Sequence, residues 1–167
     1  MFRFNYLVVG LLLFFSIQSA FAQAKNQPLS GQSFSGEITI NATPDRVWEV
    51  LTDVAQLTEI LGYEYMGGAR KFADVGNRAA VKAWGDPGGF MLVRADQNKE
   101  LRFNLDPENG SYICNCRWVL SKSGNGTRVW FEERYTESGP QSKEDLEAQV
   151  QDTNEKFKRL KMKAEKK

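Results

Sequence analysis

The segment Phe34-Ser-Gly-Glu-Ile-Thr-Ile40, continued by Asn41-Ala-Thr43-Pro44-Asp45-Arg46-Val47-Trp48, decides the fold of this 167-residue chain. Phe34, Ile38 and Ile40 share one side of an alternating strand while Ser35, Glu37 and Thr39 take the other, the pattern of a sheet buried on one face. Thr43 can cap the next helix, and Pro44 suits its first position, where the missing N–H has no helical partner to lose. Val47, Val50, Leu51 and Val54 form an inward stripe on that helix. A second short helix is predicted from Leu57 to Leu61, ending at Gly62.

Downstream the chain is punctuated by turn signals: Gly67-Gly68, Asp74-Val-Gly76-Asn77, Asp86-Pro-Gly-Gly89, Gln97-Asn98, Asn109-Gly110 and Asn125-Gly126. The runs between them predict strands over 69–73, 78–84, 90–96, 100–105, 111–121 and 127–137, which with the first makes seven. After Gly139-Pro140 the period changes. Leu146, Val150, Thr153, Phe157, Leu160 and Ala164 recur at three- and four-residue steps, predicting one long amphipathic helix. Ser142 with Asp145 resembles a capping box, acids occupy the positive end of the helix dipole and lysines the negative end.

The first 22 residues are set apart from this domain. Arg3 gives a short basic start, Leu7 to Ile17 an apolar stretch and Ala20-Phe21-Ala22 a small-x-small cleavage site, which together read as a secretory signal peptide over 1–22. The expected product is exported, periplasmic or secreted. Residues 23–33 are polar and read as a flexible lead-in, leaving 34–167 as a single domain. Cleavage would remove one of 22 basic side chains and none of the 21 acidic ones. Balanced, dispersed charge offers no basic face for nucleic acid.

The order strand, two helices, six strands, long helix resembles the START-like helix-grip superfamily (SRPBCC), which includes polyketide cyclases/dehydrases, lipid-transport proteins and plant pathogenesis-related proteins. The stretch that carries the resemblance most specifically is Ile38-Thr-Ile-Asn-Ala-Thr-Pro-Asp-Arg-Val-Trp-Glu-Val-Leu-Thr-Asp53. The rest of the domain, to about Leu160, matches by element order. The resemblance implies an α+β helix-grip fold: a seven-stranded antiparallel sheet curved around the C-terminal helix, with two short helices after the first strand and a cavity between sheet and helix. It does not choose among cyclases, transporters and proteins of other roles.

Strand alternation nominates the residues facing that space. In the sixth strand Tyr112, Cys114, Cys116, Trp118 and Leu120 share one face, and in the seventh Val129, Phe131, Glu133 and Tyr135 do so. With Phe157 and Leu160 on the helix, and Tyr63 and Tyr65 at the expected mouth, the ligand-binding candidates are Tyr63, Tyr65, Tyr112, Cys114, Trp118, Phe131, Glu133, Tyr135, Phe157 and Leu160. Glu133 is a carboxylate among aromatics and must be paired, protonated or open to water. Its readings are a strand end in solvent, a structural Glu-Arg pair, with Arg94 as the candidate partner, or an orienting or acid/base group. Trp84 and Trp130 are expected to face outward.

The chain has no histidine, which removes Ser-His-Asp and Cys-His nucleophiles. Cys114 and Cys116, two apart on a strand, project in parallel at the limit of disulfide reach, so they read as buried fillers, free thiols or a strained redox-active pair. Two cysteines supply half a usual structural zinc shell, and neither a metal nor a cofactor is expected. Three Asn-x-Ser/Thr matches, at Asn41, Asn109 and Asn125, fall at turns or a helix cap.

Three functions remain open. The first is an exported binding module holding a hydrophobic small molecule, such as a lipid, sterol, quinone or aromatic, with transient membrane contact through the basic C-terminal helix. The second is a cyclase- or dehydratase-like enzyme using Glu133 or a nearby tyrosine. The third is an interaction protein without a ligand cavity.

Overall fold

The computed structural model describes residues 33–110, 112–135 and 142–166. The expected signal peptide, the lead-in up to its last residue and the turn at Gly139-Pro140 lie outside the described residues. The elements are β1 (Ser33–Ile40), α1 (Pro44–Thr52), α2 (Val54–Leu61), β2 (Glu64–Gly68), β3 (Arg78–Ala83), β4 (Asp86–Asp96), β5 (Glu100–Pro107), β6 (Cys114–Ser123), β7 (Gly126–Tyr135) and α3 (Lys143–Ala164). The strands form one curved antiparallel sheet in the order β1-β7-β6-β5-β4-β3-β2, with α3 gripped against it. This is the helix-grip arrangement that the sequence predicts.

Local chemistry sets the boundaries. The Thr43 hydroxyl accepts from the Arg46 N–H at 3.3 Å, and Pro44 opens α1. Asp53 ends α1 and caps α2 at once, its carboxylate accepting from the Gln56 N–H at 3.0 Å. Gly62 closes α2 with φ +80°, a left-handed conformation that suits glycine. At α3 the Ser142 hydroxyl accepts from Asp145 N–H and the Asp145 carboxylate accepts from Ser142 N–H, each at 3.1 Å, a complete capping box.

Two sequence expectations shift. The predicted strand over 69–73 is not a strand; β2 lies earlier, and of that run only Lys71 makes a bridge, to Asp53. Gly67 and Gly68, read as a turn, are instead part of β2, where a bulge between Tyr65 and Gly67 accommodates them. Asp86-Pro-Gly-Gly89 is likewise strand, the opening of β4. The hairpin turn before it is Trp84-Gly85, with φ +50° and +96°, the all-positive φ of a type I′ turn.

Helix α3 lies over β1. A Cβ at Gly36 would meet Phe157 Cε2 at 2.9 Å, so glycine sets how near helix and strand approach. The helix is tied at its far end by the Asn41 N–H donating to the Glu165 carboxylate at 2.7 Å and by Arg159 Nε donating to the Ile60 carbonyl at 2.7 Å. Its first half differs from expectation: Val150, on the apolar stripe, is 60% exposed, and burial begins only at Thr153. No helix among the described residues is long and apolar enough to cross a membrane.

Gly126 is a sensitive joint of the sheet. A Cβ there would collide with the Ile40 carbonyl oxygen, a backbone atom that cannot swing aside. Gly126→Ala should therefore destabilise by about 1–3 kcal/mol, the usual range for overpacking. A urea midpoint unchanged from the parent would show that β1 and β7 part easily at this point.

Candidate functional site

The register gathers one end of the sheet into a single neighbourhood. Leu105 pairs with Cys114, Cys114 with Tyr135, and Arg134 with Ser33, so the end of β5, the start of β6, the end of β7 and the start of β1 lie side by side. The β3–β4 turn joins them, because Gly88 pairs with Pro107. The lightly buried half of α3 projects past this same end.

Four rings meet there. Trp84 packs edge-on against Tyr63 at 5.0 Å and Tyr112 at 5.8 Å, and tilted against Tyr135 at 6.3 Å, while Tyr112 and Tyr135 meet at 6.0 Å. Trp84, expected to face outward, belongs to this collar. As a turn residue with positive φ it escapes the strand alternation on which the expectation rested. It is 53% exposed, whereas Tyr63 is buried. The hydroxyls of Tyr63 and Tyr135 are buried without a hydrogen-bond partner. The Cys114 thiol stands beside Tyr135 without meeting hydrogen-bond geometry. Burial and then the Glu133 charge raise the pKa of both tyrosines, and burial pushes Tyr112 up to about 12.

Beneath the collar lies a charged pair. Lys156 Nζ donates to both Glu133 oxygens, at 2.8 and 2.7 Å, and neither side chain is exposed at all. It also pairs with Asp152 at 2.8 Å, toward the rim. Burial opposes the charge on Lys156, but Glu133 and Asp152 outweigh it and leave the pKa raised. The partner of Glu133 is thus Lys156. Arg94 cannot serve, because a bulge between Leu92 and Arg94 turns its guanidinium outward onto Asp96.

Lys156 is absent from the candidates that the sequence nominates; there it is one cation of the basic C-terminal helix. The signal was present: position 156 lies three after Thr153 and four before Leu160, both on the buried stripe. Lysines 158 and 163 of the same helix meet Glu155 and Glu59 at the surface.

Cys116 lies directly across from Glu133, and Cys114 across from Tyr135. The two thiols are free and buried, with sulfurs 3.7 Å apart, and Cys116 Sγ is 4.0 Å from Glu133 Oε1. Burial, the Cys114 thiol and the Glu133 charge push the Cys116 pKa up.

The remaining candidates occupy the middle of the grip. Trp118 stacks on Phe131 with ring centres 4.0 Å apart, and Phe157 meets both edge-on at 6.3 and 6.4 Å. Leu160 is fully buried in the same core. These side chains fill the space between sheet and helix at this level. Tyr65 packs partly against the core, and its hydroxyl donates to the Gly68 carbonyl at 2.9 Å, apart from the collar. On the opposite face of the sheet, Glu37, Arg117, Val119, Ser121, Arg128 and Trp130 line an open depression of about 390 Å³.

No family model matches the chain, and no curated protein is similar to it by sequence. Solved structures are similar in fold. Protein CV1439 from Chromobacterium violaceum has a TM-score of 0.63 at 15% identity, over 81% of this chain and 99% of that one. CalU16 from Micromonospora echinospora has a TM-score of 0.57 at 20% identity, over 80% and 76%. Ara h 8.0201 has a TM-score of 0.58 at 13% identity, over 79% and 96%. Likeness at these identities establishes the shared helix-grip fold.

Proposed function

We propose that this chain is an exported binding module that holds a hydrophobic, ring-containing small molecule at the aromatic collar. The observation that carries the reading is the collar itself: three tyrosines around a half-exposed tryptophan, with the Tyr135 hydroxyl buried and unpartnered among them. Apolar walls with a few convergent polar groups suit such ligands, and Tyr135 supplies a group to orient one. Because Trp118, Phe131 and Phe157 pack the middle, we assign the ligand to the collar end and not to the centre of the grip. The leader-like start of the sequence supports export.

An acid/base role for Glu133 is not part of this reading. Both its oxygens accept from Lys156 and its side chain is fully buried, so it does not face a ligand at the collar.

The test uses the apolar aromatic dye anilinonaphthalene sulfonate. It should bind saturably to the folded protein, and Trp84→Ala should weaken binding by about tenfold, the equivalent of one or two lost aromatic contacts at ~0.5–1.5 kcal/mol each. Trp130→Ala, on the outer face beside Arg117, should leave the affinity as it was. Unsaturable uptake, or equal weakening by both variants, counts against the collar.

A further inference from the structure

We propose that Cys114, Cys116 and Glu133 form a binding site for a thiophilic divalent cation, zinc in the first instance. The three residues offer two sulfurs and one carboxylate oxygen, all buried and all within 4.8 Å of one another. Tetrahedral zinc with Zn–S bonds of about 2.3 Å separates its two sulfurs by about 3.8 Å. The observed separation is 3.7 Å. A zinc ion bound to one sulfur and one carboxylate oxygen brings these to about 3.5 Å. Cys116 Sγ and Glu133 Oε1 stand at 4.0 Å, and a shift of the carboxylate toward the two sulfurs, with Lys156 kept on its other oxygen, would close the arrangement.

The backbone explains how so short a motif converges. Cysteines two apart on β6 project to the same face, and the β6–β7 register sets Glu133 directly across from Cys116. Counting cysteines alone leaves half a shell; the third ligand comes from the neighbouring strand.

Charge balance permits the site: two thiolates and the Glu133 carboxylate carry three negative charges against two positive on the ion and one on Lys156, whose second partner, Asp152, is about a third exposed and keeps contact with water. Lys156 lies in contact with Glu133 already. Binding would release the two thiol protons, because thiolates are the ligating form.

Trp84 is not among the ligands, so metal binding here and dye binding at the collar succeed or fail separately. The test takes the full folded protein, reduced and stripped with chelator, and titrates it with Co²⁺ and then Zn²⁺. One equivalent of Co²⁺ should give sulfur-to-metal charge-transfer absorption and the intense visible bands of a tetrahedral site, both bleached by Zn²⁺. Cys114→Ser/Cys116→Ser should abolish the charge-transfer band. A folded parent protein showing no charge-transfer band, or zinc uptake unchanged in the double serine variant, overturns the proposal.

Discussion

Lys156→Met destabilises the fold by about 3–5 kcal/mol, the range expected when one partner of a buried ion pair is removed. The substitution keeps most of the aliphatic volume but deletes the ammonium, which holds both Glu133 oxygens at 2.7–2.8 Å with no solvent access. What remains is a carboxylate beside Phe131 and Cys116 with nothing to offset its desolvation. Asp152 suffers less, being about a third exposed and able to turn to water. Replacing both partners, as Lys156→Met with Glu133→Leu, should recover most of the loss, because an apolar pair of similar volume has no charge to desolvate. Urea unfolding of the two variants and the parent measures this. A single variant within about 1 kcal/mol of the parent would mean that water reaches the pair in solution.

Phe131→Ala is expected to be as severe, at about 3–5 kcal/mol, through loss of transfer free energy and the cavity left behind. Its ring is the centre of the packed trio, stacked on Trp118, edge-on to Phe157 and 5.5 Å from the Lys156 ammonium. Trp118→Phe should be far milder. The Trp118 indole N–H is buried without a partner, so the change removes a polar group that gains nothing in the folded state. Thermal unfolding that ranks Trp118→Phe as low as Phe131→Ala would show that the indole N–H is satisfied after all.

The fold was legible because its signals are local and periodic. Thr43-Pro44, the capping box at Ser142 and the alternation of β6 and β7 each impose one conformation wherever they occur. The missed strand had a physical cause: β2 contains two glycines, and a bulge absorbs an irregularity that composition alone reads as a turn. Trp84 was hidden by the same blindness to turn geometry, since a type I′ turn needs positive φ and a tryptophan seldom takes that position. The site was half legible. Glu133 stood out as a carboxylate among apolar neighbours, but its partner lies on another element, and pairing across elements depends on packing that periodicity does not encode. Helical spacing nonetheless put Lys156 on the buried stripe, where an internal cation needs an internal anion.

Strand order has a consequence for how the protein is made. The first strand is hydrogen-bonded to the last, Gly36 opposite Phe131, so the sheet closes only between segments at opposite ends of the domain. Such high contact order slows folding, because a large loop must be brought together before the pairing returns any stabilisation. A nascent chain whose opening strand awaits its seventh has no finished sheet until residues 126–135 have been made.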